Sequence, residues 1–470
     1  MIRTNTAATP VRSISMVIIL MIILMIAAVP APAHAYDPPP SIDEITARVP
    51  SGDKPSARAS GTRDVECATS GRTGDASFQQ EPPASTAFAV NKLHEYATGK
   101  GVTVAVIDSG VNPNVRLPRL KGGGDYVEGK DGLTDCDHHG TLIAGIIAAQ
   151  PSDKDGMVGV APDATILSIR QSSVAVEAAS SSKDDASSRL DTVAQAVVRA
   201  TNLGASVINL SVTACASAEA LVDTTDLGAA LKYAHNKNVA VVASAGNAND
   251  SCYSNPSYDP QHPGDLRNWE GVQGISFPSY YAASGLLLSV GGIDSTDGKP
   301  YDKTMAGPWV SVAAPATNIV SLDPSKGRSG TLINARMENK SAQELAGTSF
   351  AAAYVTGLMT LLKEQHPSVP VEELYARVLR TAHTPSLDSA GKLGMGTVDA
   401  VAALTYDIDT TWPADPRVSS QAVPMPAHNG NSRIPMWIGI GVVSIAAVIV
   451  LLCLIGAASR RTTTKDKEIF

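Results

Sequence analysis

The sequence predicts an α/β fold in three layers, a mostly parallel central sheet covered by helices on both faces. Short apolar runs without polar alternation recur through the middle of the chain, as expected of strands buried on both sides. Segments of helical periodicity separate them, the order produced by repeated strand–helix–strand units. Polar residues capable of chemistry stand directly after several of these runs, where parallel sheets place their active groups.

The elements follow in order. VTVAVI at 102–107 is the first strand and runs into Asp108-Ser109-Gly110. DCDHHGTLIAGII at 135–147 opens a helix with His139 in its first turn, rich enough in Gly and Ala to pack closely on the sheet. ATILSI at 164–169 is the next strand. The stretch 171–188 is mostly Ser, Ala and Asp and reads as a long exposed loop, readily cut by proteases. A helix over 190–203 sets Leu190, Val193, Val197 and Ala200 on one face. VINL at 207–210 and VAVVA at 239–243 are strands, with a helix over 226–236 between them. A last helix starts at Ser349 and runs apolar to about residue 362.

Six zones follow from composition. Residues 1–35 read as a signal peptide: Arg3 and Arg12 precede an uncharged apolar run at 16–29, and Ala33-His34-Ala35 offers a cleavage site. Residues 36–90 are rich in Pro, Ser, Gly and charge and read as an extended arm without a core of its own, hence not a removable inhibitory prodomain. Residues 91–408 form the globular domain. Residues 409–435 are a Pro-rich linker. Residues 436–458 carry no charge and as a helix span roughly 35 Å, enough to cross a bilayer. Residues 459–470 contain Arg460, Arg461, Lys465 and Lys467, which keeps this tail cytoplasmic. The chain is therefore expected to be single-pass in the cytoplasmic membrane, with its domain outside. The formal charge is −8 and no cluster of Lys and Arg resembles a phosphate-binding stripe, so nucleic acid is not an expected partner.

Of five cysteines, Cys453 falls in the apolar segment. The other four lie in the exported region, where two disulfides with three possible pairings are expected. No Cys or His spacing suggests a metal site, and no cofactor is expected.

Four pieces carry the chemistry. Asp108 follows a strand, where Asp also serves as a turn former. His139 opens a helix; its neighbour His138 would point away from the site. Ser349 begins a helix in GTSFAAA, where Ser also serves as a cap, but where its own N–H and the positive helix end favour an oxyanion. Asn247 ends SAGN after a strand and can donate to the same oxyanion. Together VIDSGV, HHGTLIAGI, SAGN and GTSFAAA resemble, in order, the motifs of the subtilisin-like serine proteases. The resemblance covers about residues 91–408 and implies a subtilisin-like fold. It implies a serine endopeptidase with Asp108, His139 and Ser349 as catalytic triad, and Asn247 in the oxyanion hole. It also implies that Ser211, Val212, Thr213, Ser244, Ala245 and Gly246 line the substrate cleft, excluding a strongly charge-selecting pocket floor. Ala353 departs from the family, which usually has Pro four residues after the nucleophile.

A narrower resemblance rests on DPPPS, CATSG, GGDYVEGKDGLTDCDHHGT, GVAPDATILSIRQ and the C-terminal apolar segment, which look like those of the mycosins. These are membrane-anchored subtilases of type VII (ESX) secretion. It implies processing of a limited set of protein substrates at the secretion membrane complex, or a mainly structural role there with proteolysis secondary. The strand order adds the cysteine pairing. Cys215 and Cys252 each follow a strand end, and those strands are joined by a single helix, which predicts Cys215–Cys252 and leaves Cys67–Cys136.

Overall fold

The computed structural model describes residues 37–408, apart from 53–54, 56, 58–65, 75–77, 174–185, 219, 221, 250–251, 253–254, 256–265, 328 and 339. The central sheet comprises β1 (Thr103–Asp108), β2 (Leu120–Asp125), β3 (Thr165–Arg170), β4 (Val207–Leu210), β5 (Ala240–Ser244), β6 (Leu288–Ile293) and β7 (Val312–Pro315). Their order is β7-β6-β5-β4-β1-β3-β2, and every pairing is parallel. The principal helices are α1 (His139–Ala148), α2 (Ala186–Asn202), α3 (Thr225–Asn236), α4 (Thr348–Gln365) and α5 (Val371–Thr381).

The three layers can be read from side-chain alternation. In β1, Val104 and Val106 enter one core with Leu142, Ile146, Val355 and Leu358 of α1 and α4. Ala105 and Ile107 enter the other core, with Val193, Val197, Leu227 and Leu231 of α2 and α3. Successive strand residues point to opposite faces, so a run that is apolar at every position must be covered twice. Fully burying each Val, Leu or Ile contributes about 1.5–3 kcal/mol.

Three expected strands begin one residue later than their apolar runs. Val102, Ala164 and Val239 are buried. Their N–H groups close turns instead, onto Gly99 O, Ala161 O and Ala234 O at 3.2, 3.0 and 3.0 Å. Hydropathy marks burial, while ladder pairing starts at the next residue. Helix α2 begins at Ala186, so 186–188 belong to it rather than to the loop; Leu203 lies beyond its end and is exposed. Strands β2, β6 and β7 (LKGGGD, LSVGGI and VAAP) were not foreseen, because glycine and brevity hide them.

Described stretches of the arm lie along this body. Tyr280 and Ser284 hydroxyls donate to Asp37 O and Pro40 O at 3.1 and 2.6 Å, and Lys232 Nζ donates to Ile45 O at 2.8 Å. Thr69–Gly71 pairs antiparallel with Ala335–Glu338, itself the middle of a small sheet completed by Ser341–Glu344. Ala84 and Phe88 are buried in the first core. Disulfides join Cys67 to Cys136 and Cys215 to Cys252. No helix among the described residues is long and apolar enough to cross a membrane. Segments 1–35, 409–435, 436–458 and 459–470, and most of the 171–188 loop, lie outside the described residues.

Candidate active site

After β3 the chain crosses to the far side of β1 to form β4, so the strand order switches at β1. Crevices of open parallel sheets form at such switch points, outside the carboxyl ends of the strands. Asp108 is the last residue of β1, paired in register with Arg170, and is 1% exposed. Its Oδ1 accepts the Ser109 N–H at 2.7 Å.

His139 is brought to Asp108 by the start of α1. His138 at the N-cap adopts φ 64° and is buried, and burial lowers its pKa while Asp323 and Arg336 act on it with opposite signs. Gly140 permits the approach. A Cβ there would meet Gly110 O at 2.0 Å and Asp108 Cβ at 3.2 Å, so only a bare Cα lets the helix sit on the strand end. His139 Nδ1 lies 2.8 and 3.0 Å from Asp108 Oδ1 and Oδ2, and its Nε2 lies 2.9 Å from Ser349 Oγ. Phe350 packs on the imidazole, with ring centroids 5.7 Å apart. Burial is the largest influence on His139 and pushes its pKa down. The Asp108 charge and hydrogen bond, with Asp135 behind them, outweigh burial and Arg336 and leave it raised.

Ser349 occupies the first turn of α4 and is 7% exposed. Asn247 lies just beyond β5, its Oδ1 accepting the Thr348 N–H at 3.0 Å. A Cβ on Gly347 would lie 3.4 Å from Ser349 Oγ, 3.5 Å from Asn247 Nδ2 and 3.7 Å from Asn247 Oδ1. In the same turn Phe350 N–H donates to Gly347 O, while the Ser349 N–H has no acceptor among the described residues. The Ser349 hydroxyl and the Asn247 amide thus both border the space that a side chain on Gly347 would fill.

Of the residues expected to line the cleft, Ser211 touches the serine segment directly. Ser211 Oγ donates to Ser349 O at 3.1 Å and accepts from Asn209 Nδ2 at 2.9 Å, tying β4 to α4. Val212 is half-buried in the second core's margin. Thr213 and Ser244 hydroxyls are 3.2 Å apart, joining the two segments, and the buried Ala245 donates its N–H to Val290 O at 2.9 Å. Behind Gly246 stand Ser276 Oγ, Met305 Sδ and Thr213 Cγ2, all uncharged. Ser276, Met305, Ser109, Asp135 and Arg336 had no role in the sequence reading. DSG and DCDHHG did contain Ser109 and Asp135, but only tertiary contact makes them part of the site.

A family model described as the Subtilase family matches residues 99–403. Mycosin-1 of Mycobacterium tuberculosis is 42% identical over 448 residues, 93% of this chain and 96% of that protein. A crystal structure of MycP1 from Mycobacterium smegmatis is similar with a TM-score of 0.73 and 39% identity, covering 80% of this chain and 96% of that one. A chain in the structure of an intact ESX-5 inner membrane complex is similar with a TM-score of 0.71 and 36% identity, covering 90% of this chain and all of that one (100%).

Proposed function

The chain belongs to the subtilase family and, within it, to the mycosins, which makes it a serine endopeptidase, and we propose that Asp108, His139 and Ser349 are its catalytic triad. The observation that carries the assignment is the unbroken hydrogen-bonded line from Asp108 through both ring nitrogens of His139 to Ser349 Oγ. His139 Nδ1–H donates to Asp108, which fixes the tautomer and leaves Nε2 to accept the serine proton as Oγ attacks the scissile carbonyl. The imidazolium formed beside Asp108 returns that proton to the leaving amine. Asn247 Nδ2 and the Ser349 N–H stabilise the oxyanion. Water then attacks the acyl-enzyme by the same route. Ser211, Val212, Thr213, Ser244, Ala245 and Gly246 flank the bound peptide, and the uncharged lining favours uncharged side chains beside the scissile bond.

In the cell the proposed task is limited processing of protein substrates at a type VII secretion system. The domain would be held outside the cytoplasmic membrane by residues 436–458, after removal of residues 1–35 and through the spacer 409–435. The arm 36–90 would stay attached, tethered by Cys67–Cys136 near His139. A second reading, a structural part in the secretion complex, is favoured by the likeness to a chain of an ESX-5 inner membrane complex. Complementing a deletion strain with Ser349→Ala separates the two. We expect export of most substrates to return while the processed ones stay uncut. Equal failure of the mutant and the deletion, with mutant protein at normal level, would leave proteolysis as the whole function.

A further inference from the structure

Behind Asp108 lies a second buried carboxyl that the proposed mechanism does not use. Asp135 is 2% exposed. Its Oδ2 accepts the Thr141 N–H and Oγ1–H at 2.8 and 2.6 Å. Asn112 holds its backbone on both sides, accepting its N–H at 2.7 Å and donating to its O at 3.0 Å. Asp135 Oδ1 meets Ser109 Oγ at 2.8 Å, and the same Oγ lies 3.1 Å from Asp108 Oδ1. Ser109 Oγ also accepts the Gly140 N–H at 3.0 Å.

The hydroxyl therefore faces two carboxylate oxygens with one hydrogen. If Asp135 is ionised, Ser109 donates to it, and Asp108 keeps only the Ser109 N–H and His139. If Asp135 is neutral, its Oδ1 is the free position for the proton, because Oδ2 already accepts twice. The acid then donates to Ser109 Oγ, and Ser109 donates to Asp108. Both arrangements satisfy the same atoms, and they differ by one proton and one rotated hydroxyl.

From this geometry we infer that Asp135 is a positioning residue: through Ser109, its protonation state sets how strongly Asp108 holds the proton of His139. The inference rests on the triad assignment above. The charged groups around Ser109 and Asp135 are Asp108 from β1, His139 from α1 and Arg336 from the Ala335–Glu338 strand; next to His139 in the chain stand Asp137 and His138, and Asp323 acts on His138. Burial pushes Asp135 up to about 6, against the opposing Thr141 hydrogen bonds and with help from the Asp108 charge. The charge of Asp135 in turn raises His139. Protonating Asp135 removes a negative charge and makes His139 harder to protonate, which keeps the general base neutral further into acid.

The test is the pH profile of kcat/KM for the full chain, at constant ionic strength, with a peptide lacking groups that titrate between pH 4 and 9. The wild-type acid limb should be shallower than a one-proton curve. In Asp135→Asn the amide mimics the neutral acid. Its limb should follow one proton and move to lower pH, with about twofold more of the plateau rate retained where the wild-type limb is falling, and the two curves converging at the acid end, where wild-type Asp135 is neutral too. A merely structural role would lower the whole curve without moving the limb. Superimposable profiles, or a shift to higher pH, would overturn the inference. If Asp135→Asn does not fold, the wild-type limb decides alone: a shallow limb supports the inference and a strict one-proton limb overturns it. Ser349→Ala, assayed alongside, should be silent. Activity surviving in it would instead overturn the triad assignment, and this inference with it.

Discussion

At the scale of single residues, the site is a set of atoms held by neighbours that have no chemistry of their own. Thr348 N–H occupies Asn247 Oδ1, which leaves Nδ2 as the proposed oxyanion donor. Asn247→Ala should lower kcat by about 10²–10³, the range for losing one oxyanion donor, and leave KM within a few-fold. A kcat within threefold of wild type would remove Asn247 from the oxyanion hole. The residues of the line from Asp108 to Ser349 stood out in the sequence because each sits in a local motif at a strand end or helix start. Ser109, Asp135 and Arg336 did not, since their relevance comes from contacts between segments remote in sequence. Ser276 and Met305 escaped for the same reason: neither has a motif, and only the fold puts both behind Gly246.

Elements position these residues by how closely they can approach. Helix α1 rests on the end of β1 through Gly140, whose missing side chain leaves no gap to fill. Gly140→Ala should force the helix away, destabilise the domain by about 1–3 kcal/mol and cut kcat/KM more than tenfold, because His139 moves with its helix. Chemical denaturation and steady-state kinetics measure the two effects, and an alanine variant with native stability and rate would contradict this packing. Continuous apolar runs revealed β1, β3, β4 and β5, while β2, with three consecutive glycines, did not resemble a strand although β3 pairs with it. The cysteine pairing was legible for a topological reason. Strands β4 and β5 are neighbours joined by α3, so residues just past their ends meet, and Cys215 bonds Cys252.

For the whole molecule, the proposed nucleophile arises only on folding. His139 is 31 residues from Asp108 and 210 from Ser349 in sequence, so no segment of the chain contains the reactive group. An isolated serine hydroxyl is a weak nucleophile, and an adjacent oriented base activates it only where the sheet gathers the three segments. The α/β class was legible from periodicity, whereas the seven-strand order was not, because pairing between distant strands leaves no local pattern. Labelling of the purified protein with a fluorophosphonate, followed by mass mapping of the adduct, decides whether Ser349 is the nucleophile. A single adduct on Ser349 is expected in the native protein, and none after denaturation or in His139→Ala. An adduct on another residue of the native chain, or labelling that persists in Ser349→Ala, would contradict it.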